Sequence, residues 1–322
     1  MYRVDHLVSG QSWKGDSDRM AKIVNPSLGE VIGEVRLAST EDVGRVVEAA
    51  YAAQPAWAAT PASKRSTVMF NFRDLLSRNI DELAQLLSRE HGKTLSDAKG
   101  EISRGIEVVE FACGIPQLLK GEFSEQVASG VDAYSVRQPV GVVAGITPFN
   151  FPAMVPLWMY PVSIACGNAF ILKPSERDPS VPVYIGKLLH EAGLPVGIFS
   201  VVNGDKEAVD ALLDHRLIDA ISFVGSTTIG EYVYSRGTAA GKRVQALCGA
   251  KNHLVVMPDA DMEQVADALI GSAYGSAGER CMAISVAVPI GKSTADKLVE
   301  ELKPRVEARR IAAYTDSTSD MG

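Results

Sequence analysis

The sequence predicts an α/β protein: a parallel β-sheet with helices on both faces, followed by a second, smaller α/β unit. Three observations predict it. Between residues 140 and 235 short apolar stretches alternate with helical patterns, as strand–helix repetition in a parallel sheet requires. No charged side chain occurs between Arg137 and Lys173, yet Pro148, Pro152, Pro156 and Pro161 interrupt that run, and Asn150 and Asn168 lie within it. Such a run suits a buried strand, loop, helix and strand far better than a membrane span. Finally, 322 residues with 46% hydrophobic and 22% charged side chains can bury a large core divided between two lobes.

In chain order, residues 1–38 read as short strands, with turns at 8–10 and 25–29 where Gly10, Pro26 and Gly29 preset the dihedrals. Ser39 opens a helix: a hydroxyl cap precedes Glu41 and Asp42, and Val43, Val46, Val47 and Ala50 recur at helical spacing. Helical patterns then cover 63–89 and 97–119, and Glu101, Arg104, Glu107 and Glu110 on the second read as a solvated face. Residues 122–137 turn extended; Val127, Val131, Ala133, Ser135 and Arg137 fit a hairpin arm. Strands follow at 140–146, 169–172, 199–202 and 220–224, with helices at 153–166, 181–192, 207–214 and 228–235. A fresh start comes at 251–257, then a helix at 262–274, a strand at 284–290 and a charged amphipathic helix at 293–310.

Ligands of parallel sheets bind at the carboxyl ends of the strands. Thr147 and Asn150, Lys173 and Glu176, Gly225 and Ser226 each follow an apolar stretch. Lys173 ends the uncharged run, so its ammonium is expected to emerge at a site. Residues 225–230 have GxxxxG spacing without the lysine of a phosphate-binding P-loop, and they are not GxGxxG. The candidate nucleophile is Cys281. Small neighbours leave room for a carbonyl, and the adjacent Arg280 favours the thiolate. From its residue type alone Cys281 reads first as a small buried hydrophobe, the reading that suits Cys113, Cys166 and Cys248.

A net charge of -7 and a pI near 5.4, with no dense run of Lys or Arg, exclude a nucleic-acid partner. Residues 1–6 lack a charged-then-apolar signal pattern. Four cysteines without CxxC spacing suggest neither a disulfide framework nor a metal site, so a reducing, cytoplasmic setting is expected.

Thr147-Pro148-Phe149-Asn150-Phe151-Pro152, Lys173-Pro174-Ser175-Glu176, Phe223-Val224-Gly225-Ser226-Thr227-Thr228-Ile229-Gly230 and Gly278-Glu279-Arg280-Cys281, in this order and at these spacings, resemble the aldehyde dehydrogenase superfamily. Within it, Gly249-Ala250-Lys251-Asn252-His253 and Gly278-Glu279-Arg280-Cys281-Met282-Ala283 are most similar to the CoA-acylating methylmalonate-semialdehyde dehydrogenases. The resemblance implies an aldehyde dehydrogenase fold. Its Rossmann-like NAD-binding domain would comprise 1–121 and 138–248, its oligomerisation hairpin 122–137, and an incomplete catalytic domain 249–322.

The same resemblance assigns roles. Cys281 would be the nucleophile, and Asn150 with the Cys281 N–H would hold the oxyanion. Lys173 and Glu176 would meet cofactor ribose hydroxyls; a carboxylate there repels a 2′-phosphate, favouring NAD over NADP. Arg177 would lie against the adenine, Gly225 and Ser226 at the pyrophosphate, and Thr147, Phe149 and Cys248 along the nicotinamide end. Arg104 and Arg280 would bind a substrate carboxylate, as in malonate or methylmalonate semialdehyde. Hydrolytic relatives carry a glutamate four positions before the lysine matching Lys251, and here Leu247 stands there. A leucine cannot activate water, so coenzyme A is the expected acyl acceptor. Family members continue past the position of Gly322, to a Glu-x-Phe-Gly segment and an oligomerisation strand. A truncated member is therefore expected, homo-oligomeric at full length. The other readings are a hydrolytic aldehyde dehydrogenase and a catalytically silent nucleotide-binding fragment.

Overall fold

The computed structural model describes residues 1–322. Strands β1 (Tyr2–Val4), β2 (His6–Val8), β3 (Gln11–Trp13), β4 (Met20–Asn25) and β5 (Glu30–Arg36) form the N-terminal region. Ser39 caps α1 (Thr40–Ala58) through a capping box: its hydroxyl accepts from the Asp42 N–H while the Asp42 carboxylate accepts from the Ser39 N–H. The pattern expected as one helix over 63–89 is two, α2 (Ala62–Arg78) and α3 (Ile80–His91). They part at Asn79, which leaves helical geometry and turns its amide onto the Leu75 carbonyl at 2.7 Å. Helix α3 stops at Gly92, whose φ of 95° only glycine adopts freely. Helix α4 (Leu95–Cys113) likewise ends before Gly114, and α5 (Ile115–Leu118) carries Pro116 in its first turn.

The hairpin arm is present as β6 (Phe123–Ala128) and β7 (Val131–Tyr134), exposed along both strands. Next come β8 (Val142–Ile146), α6 (Met154–Ala165), β9 (Ala169–Lys173), α7 (Ser180–Glu191), β10 (Phe199–Val201), α8 (Lys206–Asp214), β11 (Ala220–Val224) and α9 (Thr227–Ala239). Strand β12 (Arg243–Leu247) was not expected; Arg243 and Gln245 break its apolar pattern because it is an edge strand. The chain closes with β13 (Asn252–Val256), α10 (Met262–Leu269), β14 (Ile284–Pro289) and α11 (Lys292–Glu307).

Seven strands form the main sheet in the order β12-β11-β8-β9-β10-β2-β3. The first five run parallel, and β2 and β3 extend the sheet antiparallel beyond β10. The chain winds outward from β8 to β10, then crosses back to β11 and β12, so the order reverses beside β8. Side chains of the central strands alternate between two buried faces. Val142, Ala144, Ile146, Ala169 and Ile171 pack with α1, α8 and α9 on one face. Val143, Phe170 and Leu172 join the larger core of α2, α3, α4, α6 and α7 on the other. Helix α4 crosses α6 closely because Gly105 lacks a side chain; a Cβ there would meet Leu157 Cδ1 at 2.4 Å. Strands β13 and β14 pair in parallel as a separate sheet, packed with α10 and α11 around Val256, Leu269 and Leu298. No helix is long and apolar enough to cross a membrane.

Candidate active site

The carboxyl ends of β8, β9 and β11 open into a groove of about 560 Å³, lined by residues from each. Thr147 follows β8; its hydroxyl is buried without a partner while its N–H donates to the Lys173 carbonyl at 3.1 Å. Lys173 ends β9, buried except where it lines the groove, and its Nζ lies 3.4 Å from Glu176 Oε2. Burial pushes the Lys173 ammonium down in pKa, and Glu176 opposes that. The Arg177 guanidinium lies 4.8 Å over the Phe149 ring, a cation–π contact along the same wall. Gly225 follows β11, and Ser226 is the N-cap of α9 with its hydroxyl making no bond to the helix. Gly230 lets the next strand end approach: a Cβ there would fall on Cys248 Sγ.

A second pocket of about 340 Å³ adjoins the first, sharing Pro148, Phe149, Val224, Gly225 and Ser226. Asn150, Cys248, Glu279, Arg280 and Cys281 line it. Cys281 is exposed and lines this pocket, so it is not the small buried hydrophobe that its residue type also allows. The loop before it is strained: Ser276 and Ala277 both sit left-handed, at φ 53° and 54°. Three side chains hold it. Asn150 Nδ2 donates to the Glu279 carbonyl at 2.8 Å, and Asn252 Nδ2 donates to the carbonyls of Cys281 and Ala283 at 3.0 and 3.1 Å. Arg280 is bonded to Asp97 and to the Gly271 carbonyl. Asn150 is therefore tied to the Cys281 loop across the site, not to its own turn.

Behind Asn150 stands a buried ion pair that the sequence reading missed. Lys93 Nζ meets Glu101 Oε2 at 2.6 Å and donates to the Asn150 carbonyl at 2.9 Å. The other carboxylate oxygen, Glu101 Oε1, accepts the N–H groups of Ala153 and Met154 at 2.8 and 3.1 Å, at the start of α6. Lys93 and Glu101 are only 4% and 3% exposed, so Glu101 is not part of a solvated face. Burial pushes its carboxyl up in pKa, and Lys93 with the two N–H groups opposes the shift. The available signal was the short chain distance from Lys93 to Glu101 across a helix start; Asn252 gave none beyond its motif.

The structure thus brings together Thr147, Phe149, Lys173, Glu176, Arg177, Gly225 and Ser226 in one groove, and Asn150, Cys248, Arg280 and Cys281 in the adjoining pocket. Arg104 is not brought there. Its side chain is 70% exposed and pairs with Glu107 at 3.3 Å on the surface of α4.

The sequence profile described as the aldehyde dehydrogenase family matches residues 13–322. A malonate-semialdehyde dehydrogenase of Pseudomonas aeruginosa is 57% identical over 322 residues, covering 100% of this chain and 65% of its own length. The acylating mitochondrial methylmalonate-semialdehyde dehydrogenase of Arabidopsis thaliana is 46% identical, over 99% of this chain and 52% of its own. A candidate methylmalonate-semialdehyde dehydrogenase of Sinorhizobium meliloti 1021, solved as a complex with NAD, superposes with a TM-score of 0.98 at 59% identity, covering 100% of this chain and 66% of its own. The chain spans between about half and two thirds of the length of these proteins.

Two outcomes are expected from this geometry. Iodoacetamide near neutral pH should label Cys281 first, because it alone is exposed, whereas burial pushes the thiols of Cys113 and Cys166 up in pKa. Peptide mapping checks this, and equal or faster labelling of another cysteine would remove the nucleophile assignment. Lys93→Met should cost about 3–5 kcal/mol in urea denaturation, because it strands the Glu101 carboxylate, and adding Glu101→Leu should recover much of the loss. An equally unstable double variant would show that the pair is not the source of the cost.

Proposed function

The chain belongs to the aldehyde dehydrogenase family, and from that premise we propose that it is an NAD-dependent, CoA-acylating dehydrogenase of malonate or methylmalonate semialdehyde. One observation carries the reading: an exposed thiol, an amide and a guanidinium line one pocket that opens onto a groove at the reversal point of a parallel sheet.

The residues present fit a dinucleotide. Thr147 leaves a buried hydroxyl without a partner, the Ser226 hydroxyl is free of its own helix, and the first turn of α9 presents its N–H groups at the groove. Glu176 and Lys173 would take the ribose hydroxyls, Ser226 and Gly225 the pyrophosphate, and Thr147, Phe149 and Cys248 the nicotinamide end, with Arg177 beside the adenine. When bound, NAD supplies the hydride acceptor, and CoA supplies the thiol that takes the acyl group.

The chain's own part is to generate and hold the acyl group. The Cys281 thiolate adds to the aldehyde carbon, and the developing oxyanion accepts from Asn150 Nδ2 and the Cys281 N–H. Loss of hydride from that carbon leaves a thioester on Sγ. Leu247 can accept no proton, so this thioester awaits a thiol instead of water, which supports acylation over hydrolysis. Transfer returns Sγ as thiolate; the substrate carboxylate leaves as CO2, the electron pair of the broken C–C bond stays on the α-carbon conjugated with the thioester, and that carbon takes a proton from solvent. Arg280 is the only cation lining the pocket and would meet that carboxylate.

Incubation with malonate semialdehyde, NAD and CoA should yield acetyl-CoA, and Cys281→Ser should abolish it; mass spectrometry reads the product. Free acid formed without CoA would overturn the choice of acceptor. In calorimetry NAD should bind at least about tenfold more tightly than NADP, on the order of 1.4 kcal/mol, and Glu176→Gln should narrow that gap. A gap unchanged in the variant would remove Glu176 from the ribose.

A further inference from the structure

Arg280 does not enter the pocket as a free cation. Its Nη2 donates to Asp97 Oδ1 at 3.0 Å and its Nη1 to the Gly271 carbonyl at 3.2 Å. Gly275 makes the space for this, since a Cβ there would lie 2.7 Å from the guanidinium carbon. The backbone of Asp97 is fixed independently of Arg280. It sits in the first turn of α4, where its N–H donates to the Thr94 hydroxyl that caps the helix. Four residues on, the same helix carries Glu101, so the face that braces the Asn150 segment also holds the arginine beside the nucleophile. The pair is only partly dry, each side chain being 30% exposed, so water and ligands reach it.

The charges then decide. Of the residues lining the Cys281 pocket, only Glu279 and Arg280 are charged. With Asp97 on the guanidinium, the balance around the nucleophile is one positive group against two negative ones, which repels an anion. An anionic aldehyde gains Arg280 only by sharing or displacing the Asp97 carboxylate.

We propose that Asp97 is a specificity-determining residue: a carboxylate carried by α4 that neutralises Arg280 and sets how strongly the Cys281 pocket attracts anionic over neutral electrophiles. This rests on the reading of Arg280 as the cation that meets the substrate carboxylate. A substrate carboxylate that grips the guanidinium with two parallel hydrogen bonds competes with Asp97, whereas a neutral aldehyde leaves the ion pair intact. The pocket therefore accepts carboxylated aldehydes by exchange of counter-ions and does not collect anions indiscriminately.

The test uses the thiol and neither cofactor nor turnover. Cys281 is alkylated with anionic iodoacetate and with neutral iodoacetamide, and the ratio of the two rates is followed by peptide mapping. Asp97→Asn should raise the ratio about three- to tenfold, because the freed Arg280 guanidinium can then donate to the iodoacetate carboxylate in a partly solvated ion pair. The rise should shrink in about 1 M salt. Arg280→Gln should lower the ratio, and Asp97→Asn added to Arg280→Gln should raise it by clearly less than Asp97→Asn does alone, since only the bare field of Asp97 is then removed. A ratio unchanged or lowered by Asp97→Asn overturns the proposal. So does the same rise in both backgrounds, since Asp97 would then act by its own field and not through Arg280. If Arg280→Gln leaves the ratio untouched, the substrate role of Arg280 fails, and Asp97 with it. A fall with Arg280→Gln but no response to Asp97→Asn sinks only Asp97. Thermal melting certifies that each variant is folded, and Asp97→Ser, which keeps a hydrogen-bonding group in the first turn of α4, replaces the Asn variant should that one unfold.

Discussion

The candidate site depends on one interaction, the buried contact of Lys93 with Glu101. Taking two charges out of water costs several kcal/mol per ion, and a single ion pair seldom offsets that. Here the ions do not rely on each other alone. Lys93 also donates to the Asn150 carbonyl, and Glu101 also accepts two N–H groups from the start of α6. The segment from Asn150 to Met154 is thus held at both ends by fixed charges in a dry setting, where hydrogen bonds to ions are strong. The consequence is a backbone fixed around Asn150, whose side-chain amide reaches across to the Glu279 carbonyl.

The loop before Cys281 shows the complementary problem. A run of left-handed residues before Cys281 stores roughly 1–2 kcal/mol at each non-glycine position. Such geometry persists only where surroundings over-determine it. Asn150, Asn252 and Arg280 supply that restraint from three separate parts of the fold: the loop after β8, the start of β13, and the loop itself through Asp97 of α4. The site is consequently a junction between the large sheet and the small one. Displacing either unit would move the thiol away from the amide.

By contrast, the groove draws on a single sheet. Its residues follow strands that stop at the same level, so their convergence is a property of parallel topology. Lys173 is the exception in energy. Its ammonium is held in a buried position at the groove, with Glu176 as its counter-ion.

Sequence by itself determined the alternation of strands and helices, the helix starts, and the register of polar residues at strand ends. These depend on local sterics and on periodicities of two and 3.6, which neighbouring residues encode. Hence Thr147, Lys173 and Gly225 were legible, and the motifs around Asn150 and Cys281 sufficed to find the family. Tertiary structure decided the rest. The antiparallel extension by β2 and β3, the edge strand β12 and the break at Asn79 arise from pairing and packing over long chain distances. A charge on a helical pattern likewise carries no mark of its environment. Glu101 and Arg104 lie three residues apart on α4, yet one is dry and bonded on both oxygens while the other faces solvent. Burial and partner are set by what packs against a helix, and that information lies elsewhere in the chain.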